Sequence, residues 1–252
     1  MTETETEIEK RKENNMIFLS ALTETMSFLD CHPHLVRWGL RPIAKLPFLS
    51  NKLKLLFRAF MGVPALELHD TDVIEGRLRF GGVDEQIFSS KYIEVFHTVL
   101  TSRIGAEEKN QILYEIGCKG AAWEVPKALE MGQWAPKKLI DLIFQDDMID
   151  LVRVDPKMAR LIDLVLKMVF RLIMNEGGWG PLRIDLRSSP MRAIMENTPE
   201  SVWLGPSDKP VCYLAAGIIA GHMQGFFGET LDVREVACRA TGAAHCVFEI
   251  DR

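Results

Sequence analysis

The segment that decides the fold lies near the end of the chain and reads LDVREVACRATGAAHCVFEI from residue 231 to residue 250. Its two outer parts, 231–238 and 246–250, are typical of short strands. The stretch between them contains Gly242, which can adopt the backbone angles that a tight turn requires. The segment therefore predicts an antiparallel hairpin with Cys238 and Cys246 at the two ends of its turn.

The chain before this hairpin predicts several helices and a few more strands. Residues 155–178 are apolar on most of a helical circumference, and Asp155-Pro156 is a good start signal, so we expect a buried helix there. The other predicted helices are 16–29, 51–60, 84–103, 106–130, 135–150, 189–195 and 210–227, and the other predicted strands are 73–80 and 182–186. The fold class is therefore α+β, an antiparallel sheet packed with several helices.

Composition limits the classes of protein to which this chain can belong. Its 252 residues are 47% hydrophobic, which is ample for a core. No apolar run is long enough to span a membrane, and the first thirteen residues are too polar for a signal peptide, so we expect a cytoplasmic protein. A net charge of −5 gives nucleic-acid binding no general electrostatic support.

One region departs from this acidic balance. Residues 31–60 contain no Asp or Glu after Cys31, and their basic residues are Arg37, Arg41, Lys45, Lys52, Lys54 and Arg58. The region predicts a lid or dimer arm, a membrane-surface element, or a solvated face, in that order of preference. We expect a homodimer with much of its interface in 16–62, and we divide the chain into an N-terminal extension, 1–69, and a ligand-binding domain, 70–252.

The cysteines suggest a metal site. There are five, Cys31, Cys118, Cys212, Cys238 and Cys246, and an odd number without an export signal argues against a disulfide framework. Cys212 near a helix start, Cys238 and Cys246 could complete a tetrahedral zinc site together with Glu235, provided that the strand ends or bulges near Cys238. Buried, inert cysteines are the alternative, and His222 and His245 are rival ligands.

The same residues carry a family resemblance. Cys212, the pair Gly217 and Gly221, and the spacing of Glu235, Cys238, Gly242 and Cys246 resemble the 4-vinyl reductase domain family. That family includes hydrocarbon-binding proteins and the sensor domains of aromatic-responsive transcription activators. The resemblance extends to 75–80 and 112–123. It implies a zinc ion on the four matching ligands, and a fold similar to a vesicle-tethering subunit and to NO-signalling ligand-binding domains.

Family membership also implies a cavity for a hydrophobic or aromatic small molecule. The sequence offers these candidate lining residues: Tyr92, Phe96, His97, Trp123, Phe144, Phe170, Met174, His222 and Phe226. Each of them could equally be ordinary core.

Two functions compete at this point. The first is a non-catalytic sensor or carrier that acts through a separate signalling partner. The alternative is an enzyme or accessory protein of (bacterio)chlorophyll synthesis that acts on a tetrapyrrole 4-vinyl group. The sequence contains no dinucleotide-binding motif and no justified nucleophile–base set, so we favour the binding module.

Overall fold

The computed structural model of the chain describes residues 5–32, 34, 38–39, 70–80, 83–85, 89–130, 148–170, 174 and 177–252. The predicted helix 51–60, most of the basic region 31–60, most of the predicted helix 135–150 and Phe144 lie outside these residues. Within them, no helix is long and apolar enough to cross a bilayer.

The described elements alternate between helices and short strands. The helices are α1 (Glu5–Cys31), α2 (Lys91–Ile104), α3 (Ala106–Glu130), α4 (Met148–Val154), α5 (Pro156–Phe170), α6 (Pro199–Trp203) and α7 (Tyr213–Phe227). The strands are β1 (Asp70–Asp72), β2 (Arg77–Phe80), β3 (Val83–Glu85), β4 (Leu182–Asp185), β5 (Met191–Met195), β6 (Asp232–Ala237) and β7 (Cys246–Asp251).

The main sheet is antiparallel, with its four strands in the order β4-β5-β7-β6. In β7, Cys246, Phe248 and Ile250 point into the core while the residues between them are only half-buried. This alternation is what one buried sheet face requires. Strands β1 to β3 form a separate small meander. Helices packed with a four-stranded antiparallel sheet confirm the predicted α+β class.

Helix α5 fills the space between this sheet and α1. The carboxylate of Asp155 accepts the Lys157 N–H at 2.8 Å, and Pro156 occupies the first helical position, so the predicted start signal is confirmed. The core side of the helix includes Leu161 and Ile162, both fully buried. Across it, α1 contributes Leu19 and Met26 to the same core. Charged residues line the outer face of α5, so the helix is less apolar around its circumference than the sequence suggested.

Helices α3 and α7 pack against each other backbone to backbone. A Cβ added at Gly217 would lie 2.1 Å from the Tyr114 carbonyl oxygen, and one at Gly221 would lie 2.2 Å from the Cys118 carbonyl oxygen. Real Cβ atoms do not approach other atoms so closely, and only glycine fits at these two positions. The glycines that carried part of the family resemblance thus allow this close packing.

Three predicted elements were wrong in type or extent. Residues 189–195 form strand β5 rather than a short helix, because Met191, Ala193 and Met195 alternate with less buried residues and pair with β7. The predicted strand 73–80 is two strands separated by a turn, in which the Asp72 carboxylate accepts the Ile74 N–H at 3.0 Å. The predicted helix 84–103 begins only at Lys91, after β3.

Candidate metal centre

The hairpin and the start of α7 bring four potential metal ligands together. Glu235 lies in β6, Cys238 follows that strand, Cys246 begins β7, and Cys212 is the N-cap of α7. The pairing of β6 with β7 shifts register between Glu235 and Ala237. That irregularity confirms the expectation of a bulge, and it places two residues three positions apart on the same side of the strand.

The geometry fits a tetrahedral metal ion. The Cys212 sulfur lies 3.8 Å from the Cys238 sulfur and 3.6 Å from the Cys246 sulfur. All four ligand atoms lie within 4.8 Å of one another. A tetrahedron with metal–sulfur bonds of about 2.3 Å has sulfur atoms about 3.8 Å apart. The four residues are thus close enough to hold a metal ion without rearranging the backbone.

The carboxylate of Glu235 is half satisfied by the protein. Its Oε2 accepts the Cys212 N–H at 2.9 Å, whereas its buried Oε1 has no hydrogen-bond partner among the described residues. A buried oxygen without a partner is costly unless an ion or water satisfies it. The free lone pairs of this oxygen therefore suit a metal ligand.

The turn between the strands wraps around the sulfur atoms. The Cys238 carbonyl accepts the N–H groups of Thr241 and Ala243, each at 3.1 Å, and Gly242 has a φ of 94°. The Arg239 N–H points at the Cys246 sulfur at 3.4 Å. Such an N–H favours the thiolate over the thiol, and the thiolate is the form that binds metals.

Close packing of the sulfur atoms separates their acidities when no metal is bound. Hydrogen bonds with Cys238 and Cys246 raise the pKa of the Cys212 thiol, whereas hydrogen bonds from Cys212 and Cys238 lower the pKa of Cys246. Burial raises the pKa of Glu235 to about 7. The metal-free cluster therefore holds protons, and these must leave when a cation enters, so metal retention should weaken as the pH falls.

Two polar residues that the sequence analysis missed support this site from α6. Glu200 is fully buried, and its carboxylate accepts the Leu214 and Ala215 N–H groups at 3.0 and 2.9 Å. It thereby satisfies the first turn of α7, directly after Cys212. Thr198 is also fully buried and lies against the sulfur atoms. The motif Thr-Pro-Glu at 198–200 is a helix-start signal that could have indicated α6.

The predicted pocket residues divide into two groups. Tyr92, Phe96 and Trp123 are exposed over about half of their surface or more, at 51%, 54% and 61%. The buried residues are His97, Phe170, Met174, His222 and Phe226. The exposed residues do not join the buried ones in an enclosed site in this structure, and the role of both groups in ligand binding stays a prediction.

His222 is the unusual member of the buried group. It is 1% exposed, and neither ring nitrogen has a hydrogen-bond partner among the described residues. Its ring meets the edge of Phe170 at a centroid distance of 5.6 Å, and Phe170 meets Phe226 at 6.0 Å. Burial lowers the pKa of His222 to about 4. The imidazole is therefore neutral near pH 7, with one nitrogen able to donate and the other to accept.

His97 occupies a different buried position, on α2. Its Nε2 lies 3.3 Å from Oε1 of Glu200, which links α2 to the carboxylate at the start of α7. The rival metal ligand His245 is exposed and is not part of the four-residue cluster.

Comparison with known proteins agrees with the residues described above. The family model of the 4-vinyl reductase domain matches residues 191–252, which include β5, α7 and the hairpin of β6 and β7. The match confirms the family resemblance predicted from the cysteine and glycine spacing. No curated protein sequence matches the chain.

Two solved structures are similar to the chain. One is the phenol-responsive sensory domain of the transcription activator PoxR with phenol, with 14% identity and a TM-score of 0.52 over 73% of this chain and 85% of that one. The other is a vinyl-4-reductase family protein from Methanocaldococcus jannaschii, with 23% identity and a TM-score of 0.39 over 66% and 83%. The first comparison shows a shared fold. The likeness to a vesicle-tethering subunit stays a prediction.

Proposed function

We propose that the chain is a non-catalytic sensor or carrier of a hydrophobic or aromatic small molecule, with a zinc ion that holds its C-terminal elements together. The observation that carries the ligand part is the buried imidazole of His222, which has no hydrogen-bond partner among the described residues. Leaving such a group unsatisfied costs about 1–3 kcal/mol. A ligand that forms a hydrogen bond with it would remove this cost.

The surroundings of His222 favour an aromatic ligand with a hydroxyl or N–H group. The edge of Phe170 and the buried side chains of Met174 and Phe226 offer the contacts that aromatic rings prefer. A neutral imidazole pairs with a neutral hydroxyl rather than with a carboxylate. The fold shared with a phenol-responsive sensory domain supports the same class of ligand.

Thermal unfolding of the zinc-loaded protein tests this proposal. Phenol, indole and 1-naphthol are the probes, and toluene is the analogue of phenol that lacks a hydroxyl. We expect at least one hydroxyl- or N–H-bearing probe to raise Tm, since a ligand at 100 times its Kd stabilises by about 2.7 kcal/mol. We also expect toluene to act more weakly than phenol.

His222→Phe should abolish the advantage of phenol over toluene, because phenylalanine keeps an aromatic ring but offers no hydrogen bond. His245→Phe is the matched control, since His245 is exposed. A protein whose Tm responds to none of the probes, or a His222→Phe variant that still distinguishes phenol from toluene, contradicts the proposal.

Zinc is the metal that the donor set favours. Three thiolates exclude magnesium and calcium, which prefer oxygen ligands, and zinc accepts a carboxylate as its fourth ligand. Four protein ligands leave no vacant position, so the ion would have a structural role. When bound, it would supply a tetrahedral cross-link between the start of α7 and both arms of the hairpin.

The absorbance spectrum of the purified protein separates the binding module from the reductase alternative. A colourless zinc protein agrees with the proposal. A flavin, tetrapyrrole or iron–sulfur band that copurifies in stoichiometric amount favours the enzyme.

We further propose a cytoplasmic homodimer. Ile17 and Phe28 are 63% and 54% exposed on α1, whereas Leu19 and Met26 of the same helix are buried, which leaves apolar side chains outside the core. Light scattering of the Ile17→Glu, Phe28→Glu double variant is the test. We expect a monomer of unchanged secondary structure, and a wild-type protein that is already monomeric would refute the proposal.

A further inference from the structure

The hydroxyl of Thr198 lies in direct contact with the metal-binding sulfur atoms. Its Oγ1 is 3.0 Å from the Cys212 sulfur and 3.3 Å from the Cys246 sulfur. The same oxygen is 2.6 Å from the hydroxyl of Ser201. Thr198 is fully buried, so water does not compete for these contacts. Thr198 is not itself one of the four candidate ligands.

Hydrogen counting shows how the role of this hydroxyl depends on the state of the sulfur atoms. The Ser201 hydroxyl donates to the Thr198 carbonyl at 3.0 Å, so its oxygen is left to accept. When Cys212 is a thiol, its S–H can donate to Thr198, and the Thr198 hydrogen can go to Ser201. A metal-bound thiolate has no hydrogen and can only accept. The Thr198 hydrogen then has a charged acceptor at 3.0 Å, which forms the stronger bond.

The local fold presents this hydroxyl rigidly. Thr198 is the N-cap of α6, and Pro199 fixes the backbone directly after it. Two residues further on, the Glu200 carboxylate binds the first turn of α7, where Cys212 is the N-cap. Helices α6 and α7 are therefore held at a fixed separation, and the oxygen–sulfur contact does not depend on a mobile side chain.

We propose that Thr198 is a positioning residue of the metal site, whose hydroxyl donates a hydrogen bond to the Cys212 thiolate when the metal is bound. The bond orients the sulfur and stabilises its negative charge without contacting the metal. This inference rests on the proposed metal site. Partners of this kind typically change metal affinity by about 10–100-fold.

Metal release measures the effect directly. Thr198→Val keeps the shape of the side chain and removes the hydroxyl, and we expect zinc to pass to an excess of a chromophoric chelator about 10–100 times faster than from the wild-type protein. Thr198→Ser keeps the hydroxyl and should release zinc at the wild-type rate. In the cobalt(II)-substituted protein, Thr198→Val should move the sulfur-to-metal charge-transfer band to lower energy, because the unbonded thiolate is easier to oxidise.

The control separates this role from helix capping. Ser201→Ala removes a buried hydroxyl from the same helix start but leaves the oxygen–sulfur contacts, and it should keep the wild-type release rate and cobalt spectrum. If Thr198→Val does not fold, Thr198→Gly repeats the test, because glycine also serves as an N-cap. Wild-type release from the valine or glycine variant, or an equal acceleration in Ser201→Ala, overturns the assignment. A wild-type protein that binds neither zinc nor cobalt refutes the metal site itself.

Discussion

Replacing Gly221 with alanine tests the close packing of α3 and α7. The new Cβ would lie 2.2 Å from the Cys118 carbonyl oxygen and 2.8 Å from the Ala122 nitrogen, both backbone atoms. To restore ordinary contact, the two helices would have to separate by about 1.2 Å, which a closely packed interior resists. Overpacking of this kind costs about 1–3 kcal/mol. Helix propensity opposes that cost, since alanine is favoured over glycine by about 1 kcal/mol.

Gly120 provides the matched control on α3. It lies in the same pair of helices, but a Cβ added there would meet nothing within 4 Å. Gly120→Ala should therefore stabilise the protein by about 1 kcal/mol through helix propensity alone. Because the displaced atoms at Gly221 are backbone, we expect the upper part of the overpacking range and a net destabilisation of about 1–2 kcal/mol.

Thermal and urea unfolding of the metal-loaded variants provide the measurement. For a chain of this length, each kcal/mol shifts Tm by about 2–4 °C. The two substitutions should move Tm in opposite directions. If Gly221→Ala raises Tm as Gly120→Ala does, the helices are not in backbone contact and the packing argument is refuted.

Two further predictions concern His222 and the cysteines. The folded pKa of His222 is about 4 against 6.5 for an ordinary histidine, so the unfolded chain binds a proton that the folded chain does not, and stability should fall by about 3 kcal/mol as the pH drops from about 6.5 to 4. In urea unfolding across that range, His222→Phe should lose this part of the slope, and an unchanged slope would contradict the buried neutral imidazole. Cys238→Ala should lose the metal and unfold at lower temperature, whereas Cys31→Ala, at an exposed position, should retain one zinc per chain by elemental analysis. Full zinc occupancy in Cys238→Ala would remove that residue from the site.

The parts of the fold that the sequence predicted well are those with strong local signals. Gly242 marks the turn of the hairpin, and Asp155 with Pro156 marks the start of α5. The segment 189–195 was misassigned because methionine and alanine are good helix formers, and its pairing with β7 is set by residues more than fifty positions away. Tertiary pairing overrode local propensity there.

The candidate site was predictable to different depths. The three cysteines and Glu235 could be grouped because their chemistry is distinctive and their spacing fits a hairpin. Thr198 and Glu200 could not, because threonine and glutamate occur throughout any sequence and only the fold shows them buried. Exposure likewise divides the predicted pocket residues: Trp123 lies at the surface while His222 is inside, and both are simply aromatic positions on helices when read from the sequence.

The glycine contact between α3 and α7 has a mechanical consequence. Helices whose backbones touch cannot slide or rotate separately without a collision, so the two helices move as one body. That body carries Cys212 at one end of α7 and His222 further along the same helix. A molecule that displaces His222 therefore also displaces a ligand of the metal centre, and the hairpin beyond it would be the first element outside this body to register that the pocket is filled.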